Sequence, residues 1–428
     1  MKKISTLFGM ISFVLLATEM EVPLVKGATL TEMGDYVFDA AVEGPDKTAA
    51  QKMIDRAFEV GVRHIVLTPR AIMNHPRSSD LIPMTPPEKR PDERRRLLRL
   101  ISYIHSKNMT AGLRPIFFVV DANGHTPYVE TLPDGTKKEW WHGNIQPQNP
   151  NAWFESFKNY LDLYLPIAAQ SGVEEFTIGA ELYSMTVGIE DQWKENPHGF
   201  PAQWVRLLEH SRKKLLPTTR IMYDINFTDD KIISDESGIE EYGGELARWR
   251  YRIVDLAKRT DPVEKEVWKN LVLFWKGLDA VGIDMYRSLA TEHQRVSNRY
   301  SELVSELKQA SDRYSNQLDN ALFEIESVVG ESKPVIFKEI GFRSVTKGYV
   351  EPFRYVGENR GTVSLTDQAA AYEALFQSFW APGWEWFRGF VLWDISINPT
   401  LHGPNDSGFS FIGKPQTEEI VSRYYKSR

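Results

Sequence analysis

Residues 176–185, FTIGAELYSM, form an apolar segment that ends on a carboxylate. Apolar side chains alternate with small or polar ones as far as Ala180, and Glu181 follows where the segment should end. Alternation with a period of two is typical of a β-strand. Taken alone, the segment is most simply a strand that reaches solvent, with Glu181 as a surface charge. The pattern of the remaining chain decides whether that interpretation holds.

The same strand-then-helix pattern repeats along the 428 residues. Strands are predicted at 34–41, 63–70, 110–120, 176–180, 220–227, 278–286, 333–342 and 387–396. Helices are predicted at 47–61, 91–108, 151–172, 201–216, 245–276, 292–329, 366–380 and 414–425. Strict alternation predicts a parallel sheet covered by helices.

Eight such units predict one α/β domain over residues 30–428, a (β/α)8 TIM barrel with long loops after its strands. A doubly wound open sheet is the alternative fold. It is disfavoured because no glycine-rich phosphate-binding turn follows the first predicted strand.

Composition excludes several classes of protein. The net charge of −7 disfavours a nucleic-acid partner, which would require a basic surface. None of the 9 histidines is paired at metal-ligand spacing, so we expect no metal and no cofactor. The 12 tryptophans are compatible with sugar stacking, although most tryptophans pack in cores. We expect a monomer that binds a polysaccharide or oligosaccharide.

The N-terminus resembles a secretion signal. Two lysines follow Met1, and the apolar run ISTLFGMISFVLLA comes next. A basic start followed by a short apolar run predicts a signal peptide, here residues 1–27, cleaved after Gly27 or earlier, near Ala17. The mature protein would then be secreted or periplasmic, without stable membrane association. A retained membrane anchor is the alternative.

Polar and aromatic side chains recur at the ends of the predicted strands. In a TIM barrel the carboxyl ends of the strands form the catalytic face. The residues at these ends are Arg70, Arg114, Glu181, Asn226, Asp284, Tyr286, Glu339, Trp393 and Asp394. Their number and chemistry predict a functional site at this face.

Glu181 and Glu339 lie at the ends of the fourth and seventh predicted strands, which face each other across an eight-stranded barrel. Two carboxylates that flank a glycosidic bond are the catalytic groups of most glycosidases. The alternative is that each glutamate merely pairs with an arginine at the rim of the barrel.

The chain resembles clan A glycoside hydrolases, and within that clan it is most similar to family 113. The resemblance rests on residues 140–157, 176–185, 333–344 and 406–421, and it spans nearly all of the mature chain. It implies a retaining (β/α)8 enzyme with an acid/base glutamate after strand 4 and a nucleophilic glutamate after strand 7. Characterised members of family 113 are β-mannanases.

The resemblance also implies a role for individual residues. Glu181 would be the acid/base, Glu339 the nucleophile, and Tyr286 a hydrogen-bond donor to the nucleophile. Trp393 would form the floor beneath the sugar. The remaining expected substrate contacts are Trp141, His142, Arg114, Asn226 and Asp284.

Two departures from the family pattern stand out. Ala180 replaces the asparagine that many clan members carry before the acid/base, so the sugar 2-hydroxyl must be held by another residue. The interval between the two glutamates is long, with extra residues mainly in 228–276 and 287–330. The resemblance therefore implies hydrolysis of β-1,4-mannan, glucomannan or manno-oligosaccharides. The alternatives are another β-glycan (glucan, xylan or galactan) or a non-catalytic sugar-binding barrel.

Overall fold

Eight parallel strands close into a barrel in the computed structural model, which describes residues 22–31, 46–189, 192–233, 240–354 and 362–427. The barrel strands are β1 (Val25–Thr31), β2 (His64–Leu67), β3 (Thr110–Leu113), β4 (Glu175–Ala180), β5 (Arg220–Phe227), β6 (Ala280–Met285), β7 (Val335–Ile340) and β8 (Phe387–Ser396). Each strand pairs with its neighbours in chain order, and β1 also pairs with β8. This closure confirms the TIM barrel and excludes an open sheet.

The first barrel strand is not the one predicted at 34–41, which lies outside the described residues. Its place is taken by β1, which begins at Val25 and hydrogen-bonds on both sides in parallel register. The sequence prediction assigned residues 25–27 to the signal peptide and no strand to residues 28–31, although Ala28 and Leu30 are fully buried in the barrel. Gly27 lies within β1, so a cleavage there would divide the strand.

Helices cover the barrel between successive strands. They are α1 (Ala49–Val60), α2 (Arg90–Ser106), α3 (Pro150–Leu161), α4 (Leu165–Ser171), α5 (Tyr183–Thr186), α6 (Pro201–Lys214), α7 (Gly244–Arg250), α8 (Pro262–Gly277), α9 (Tyr300–Val329), α10 (Leu365–Leu375) and α11 (Pro415–Lys426). Among the described helices, none is long and apolar enough to cross a bilayer.

Proline divides three predicted elements. The helix predicted at 151–172 becomes α3 and α4, because Pro166 in the first turn of α4 has no amide hydrogen to continue α3. The strands predicted at 63–70 and 110–120 also break, at Pro69 and Pro115. Beyond each break the chain joins a small outer sheet formed by Arg70–Met73, Ile82–Pro83 and Ile116–Val119.

Loops on the carboxyl side of the barrel carry further strands. Tyr128–Thr131 pairs with Lys137–Trp140 as a hairpin after β3, and Lys231–Ile233 pairs with Glu240–Tyr242 after β5. The β3 hairpin leads directly into a short helical turn at His142–Asn144. These loops build the walls around the open end of the barrel.

A buried charge cluster occupies the lower half of the barrel. Lys338 on β7 donates to Glu175 on β4, and both side chains are at most 1% exposed. His64 and Arg220 lie 3.7 and 3.9 Å from the same carboxylate. Buried charges are tolerated when they are paired, so this cluster is a structural element of the barrel interior.

Both strands that lead to the predicted catalytic glutamates carry an extra residue near their ends. Between β5 and β4, pairing passes from Met222 with Thr177 to Asp224 with Ala180. Between β6 and β7 the register slips immediately before Glu339. A bulge turns the following side chain toward the other face of a strand. The bulges therefore direct Glu181 and Glu339 into the mouth of the barrel.

Candidate active site

Glu181 follows the last residue of β4 in an unusual backbone conformation. Its φ is +54°, in the left-handed region that L-residues rarely adopt, and its N–H donates to the Asp224 carbonyl at 2.8 Å. Its carboxylate accepts from Asn226 Nδ2 at 2.7 Å and lies 3.0 Å from His142 Nε2. Backbone strain of this kind is concentrated at functional sites.

The environment of Glu181 acts on its pKa in two directions. Burial raises the pKa, whereas the hydrogen bonds from His142 and Asn226 lower it, and the net pKa lies below the ordinary value. A general acid is usually served by a raised pKa, and the direction at Glu181 is the opposite. Two donors aimed at a carboxylate favour its ionised form.

Glu339 lies at the end of β7 with both carboxylate oxygens hydrogen-bonded. Oε2 accepts from the Tyr286 hydroxyl at 2.8 Å, and Oε1 accepts from the Arg114 guanidinium. The side chain remains 12% exposed, toward the open end of the barrel. This anchored, partly accessible carboxylate is suited to attack on a bound substrate.

Arg114 joins three acidic residues beneath the site. It donates through Nε to Asp224 and through Nη2 to Asp284, both at 2.6 Å, and also binds Glu339. Burial is the main reason that the pKa of Asp224 rises to about 7 and that of Asp284 rises well above its usual range. One guanidinium supplies one positive charge to three carboxyl groups, so Asp224 and Asp284 take up protons more readily than exposed aspartates do.

Aromatic rings and His142 form one wall beside Glu181. The Trp141 ring lies 4.7 Å from the His142 ring and 5.6 Å from Tyr183, which begins α5. On the other side of His142 lies Phe117, at 5.9 Å. The His142 side chain is 20% exposed, so the wall reaches the cleft.

Trp393 forms the opposite side of the site with Tyr286 and Phe409 in one apolar cluster. The neighbouring Asp394 accepts a hydrogen bond from Thr31 at 2.5 Å, and burial raises its pKa to about 6. Residues of β1 and β8 and the residue that follows β6 lie together here. The cluster therefore includes Tyr286, whose hydroxyl donates to Glu339.

The structure brings the two glutamates, Tyr286 and the six expected substrate contacts to one end of the barrel. Three of these nine side chains are almost fully buried. Arg114, Asn226 and Asp284 are 1%, 3% and 0% exposed. Each bonds to another side chain of the site: Arg114 and Asp284 to one another, and Asn226 to Glu181. Arg114 and Asn226 thus each bond directly to one of the two glutamates.

Two further residues of the site escaped the sequence analysis. Asp224 supports Arg114, and Tyr183 packs against Trp141. Asp224 had a detectable signal, because an aspartate within the apolar strand RIMYDINF points to the same side as Asn226 two residues later. In the part of the chain that the structure describes, no group of three or more acidic or histidine side chains is arranged to hold a metal ion.

Comparison with known protein families also indicates a glycoside hydrolase. The model of glycoside hydrolase family 113 matches residues 36–198 and 259–414. The sequence matches no protein of curated function.

Two solved structures show the same fold. The fold is similar to that of a GH113 β-1,4-mannanase in complex (19% identity, TM-score 0.57, covering 95% of this chain and 100% of that one). It is also similar to the GH113 β-mannanase AaManA from Alicyclobacillus acidocaldarius with ManMIm (19% identity, TM-score 0.58, covering 95% and 99%). The family match spans most of the chain and both candidate glutamates, and so this protein is a glycoside hydrolase that belongs to family 113.

Proposed function

We propose that this glycoside hydrolase cleaves β-1,4-linked mannan, glucomannan or manno-oligosaccharides with retention of configuration. One observation carries the mechanism: two glutamates share the open end of the barrel in different surroundings. Glu339 is held by Arg114 and Tyr286, whereas Glu181 is held by Asn226 and His142. Different environments assign different roles to paired carboxyl groups.

In the first step, a Glu339 oxygen attacks the anomeric carbon and the bond to the leaving oxygen breaks. Glu181, in its protonated form, transfers its proton to that oxygen, which leaves as a hydroxyl group. The product is a glycosyl ester of Glu339. The donors on Glu339 stabilise the carboxylate before attack and when it leaves again.

In the second step, the Glu181 carboxylate takes a proton from a water molecule as the water attacks the anomeric carbon. The ester bond to Glu339 breaks, and the sugar is released with its original configuration. Both glutamates return to their starting protonation states. Glu181 is thus acid in one step and base in the next.

The lowered pKa of Glu181 makes the first step sensitive to pH. The hydrogen bonds from His142 and Asn226 favour the carboxylate, which cannot donate a proton. The protonated fraction falls as pH rises through this pKa. We therefore expect an acidic optimum for cleavage of substrates with poor leaving groups.

Membership of family 113 and the fold shared with two mannanases support mannan as the substrate. Trp141 and Trp393 offer rings on either side of the site for stacking on sugar faces. Ala180 leaves the 2-hydroxyl to another partner, and this hydroxyl is axial in mannose. A different β-glycan is the second candidate, because the same pair of carboxyl groups can cleave other β-linked sugars.

The location of the enzyme is part of the proposal. We propose export to the periplasm or medium, with cleavage near Ala17, because a cut after Gly27 would remove part of β1. The mature enzyme is proposed to act as a monomer on a polymeric or oligomeric sugar. The N-terminal sequence of protein recovered from the producing host tests this directly.

A substrate panel tests the proposed activity. Purified protein is incubated with linear mannan, glucomannan, cellulose, xylan, galactan and manno-oligosaccharides, and the released sugars are separated. We expect products from the mannan-based substrates.

Proton NMR of the first products should show the β-anomer before mutarotation. Cleavage of xylan or galactan alone would contradict the substrate, an initial α-anomer would contradict retention, and sugar binding without turnover would favour a non-catalytic barrel.

A further inference from the structure

A third buried glutamate, Glu245, lies behind the candidate acid/base and has no part in the two steps above. It is the second residue of α7 and is 1% exposed. It falls in residues 199–258, the stretch between the two segments that the family model matches. Its position therefore belongs to the part of this chain in which the family pattern gives no guidance.

Four groups donate to the Glu245 carboxyl group. Oε1 accepts from the Tyr223 hydroxyl at 2.8 Å, from Trp249 Nε1 at 3.0 Å and from Thr186 Oγ1 at 3.3 Å. Oε2 accepts from the Asn226 N–H at 3.1 Å. A buried carboxyl group with this many partners is fixed in position rather than free to rotate.

Two of these partners lead directly to Glu181. The Tyr223 hydroxyl accepts the N–H of Leu182, the residue after Glu181, at 3.0 Å. Asn226 uses its side-chain amide to donate to the Glu181 carboxylate at 2.7 Å. Glu245 thus holds both the backbone turn that carries Glu181 and the amide that orients its carboxylate.

The first residue of α7, Gly244, packs closely against Asn226 and Thr228. Gly244 has a φ of +58°, and a Cβ atom there would lie 2.4 Å from Asn226 Oδ1 and 2.6 Å from Thr228 Oγ1. Only glycine permits so close an approach at this backbone conformation. Because the backbone at Gly244 lies so close to Asn226, the side chain of the next residue, Glu245, can accept from the Asn226 N–H.

The protonation state of Glu245 suits a support beneath an acid/base. Burial raises the pKa of Glu245 to about 8, so the group is largely neutral at neutral pH. A neutral acid adds no negative charge next to Glu181. If α7 needed only to be anchored, an apolar side chain would serve without the cost of burying a carboxyl group.

We propose that Glu245 is a positioning residue for general acid/base catalysis, holding Glu181 in the geometry needed for proton transfer. This proposal rests on the proposed function, in which Glu181 protonates the leaving oxygen. Displacing a catalytic group by about 1 Å can reduce a rate by about a hundredfold. Loss of Glu245 should therefore slow the steps that need the proton and spare those that do not.

The test compares two leaving groups. A manno-oligosaccharide releases a sugar hydroxyl and needs the proton, whereas a 2,4-dinitrophenyl β-mannoside releases a weakly basic phenolate and does not. In Glu245→Ala we expect kcat/KM for the oligosaccharide to fall about tenfold or more relative to kcat/KM for the aryl mannoside. Equal losses on both substrates, or no loss, would overturn the proposal.

Two conservative variants guard against a folding defect. Glu245→Gln keeps the size of the side chain and an acceptor for Tyr223 and Trp249 but loses the acceptor for the Asn226 N–H, so its leaving-group ratio should lie between those of Glu245→Ala and the wild type. Tyr223→Phe removes only the hydroxyl that links Glu245 to Leu182, and it should shift the ratio in the same direction as Glu245→Ala. A Glu245→Gln ratio as low as that of Glu245→Ala, or an unchanged Tyr223→Phe ratio, would contradict the role.

Glu93→Gln is the matched control. Glu93 is also a buried glutamate, 4% exposed on α2, and accepts from the Tyr164 hydroxyl at 3.2 Å, outside the catalytic face. Its substitution should leave the leaving-group ratio unchanged, and a shift as large as that of Glu245→Ala would overturn the proposal. Absence of wild-type turnover on both substrates would overturn the proposed function instead, and the role of Glu245 with it.

Discussion

Strands β4 and β7 each contribute to two pairs of charged residues at different depths in the barrel. The lower pair is Glu175 and Lys338, of opposite charge and at most 1% exposed. The upper pair is Glu181 and Glu339, of like charge, at the open end. The same two strands therefore carry a buried structural pair inside the barrel and the proposed catalytic pair at its open end.

The difference between the pairs lies in how each charge is compensated. In the lower pair Lys338 donates directly to Glu175 inside the barrel, and burial lowers the pKa of Lys338. In the upper pair each glutamate takes its donors from other strands and loops. Glutamates that take their donors from other residues remain available for chemistry, whereas the carboxylate of the lower pair is bound to a lysine inside the barrel.

Removal of Glu339 should have the largest effect. Glu339→Ala eliminates the nucleophile, and we expect kcat on manno-oligosaccharides to fall on the order of 10⁴-fold or more. The melting temperature should remain close to that of the wild type, since the side chain lies at the surface of the cleft. A rate within tenfold of the wild type would assign the nucleophile to another residue.

Substitution in the lower pair should instead change the free energy of unfolding. Glu175→Ala leaves Lys338 buried without its partner, which should cost about 3–5 kcal/mol in the free energy of unfolding. Urea denaturation measures this change. The double variant Glu175→Gln/Lys338→Met should recover much of the loss, because it removes both charges. An unchanged free energy of unfolding in Glu175→Ala would remove the contrast between the two pairs.

Tyr286→Phe should have an intermediate effect on the upper pair. It removes the donor to Glu339 Oε2 and leaves the ring in its cluster with Trp393. We expect kcat/KM to fall about tenfold, as for loss of a hydrogen bond to a charged group. Tyr164→Phe, which removes a hydroxyl from a contact remote from the cleft, serves as the control. Equal activity of Tyr286→Phe and wild type would exclude the support role.

The smallest expected effect is a displacement of the pH profile. The His142 hydrogen bond lowers the pKa of Glu181, so His142→Phe should raise it and move the alkaline limb of kcat/KM to higher pH. The phenyl ring can retain the contacts with Trp141 and Phe117. His210→Phe, which alters a contact with Asp162 instead, should leave the limb in place. A shift to lower pH would contradict the role of His142.

The barrel was predictable because most of its units carry a clear local signal. The alternation of apolar strands and amphipathic helices persists from residue 47 to the last helix. The first strand escaped because its first residues were assigned to the signal peptide, and only pairing with β2 and β8 identifies it. The broken elements at Pro69, Pro115 and Pro166 show where one residue overrides a longer pattern.

The catalytic pair was also predictable, because each glutamate ends a strand. The partners of these glutamates were not, since the bonds from Arg114 join residues 110 to 225 positions apart in the chain. Arg114 and Asp284 were therefore assigned to the sugar, whereas in the structure their buried side chains bond to each other. Glu245 carries no local signal at all, because a glutamate early in a helix is common and only its burial distinguishes it.

The configuration of azide products tests the central claim most directly. Glu181→Ala and Glu339→Ala are each incubated with 2,4-dinitrophenyl β-mannoside and sodium azide, and the mannosyl azides are analysed by NMR. The account predicts a β-azide from Glu181→Ala, because azide attacks the ester on Glu339, and an α-azide from Glu339→Ala, because azide attacks the substrate itself. The opposite pairing of variants and products would contradict the assignment of both glutamates.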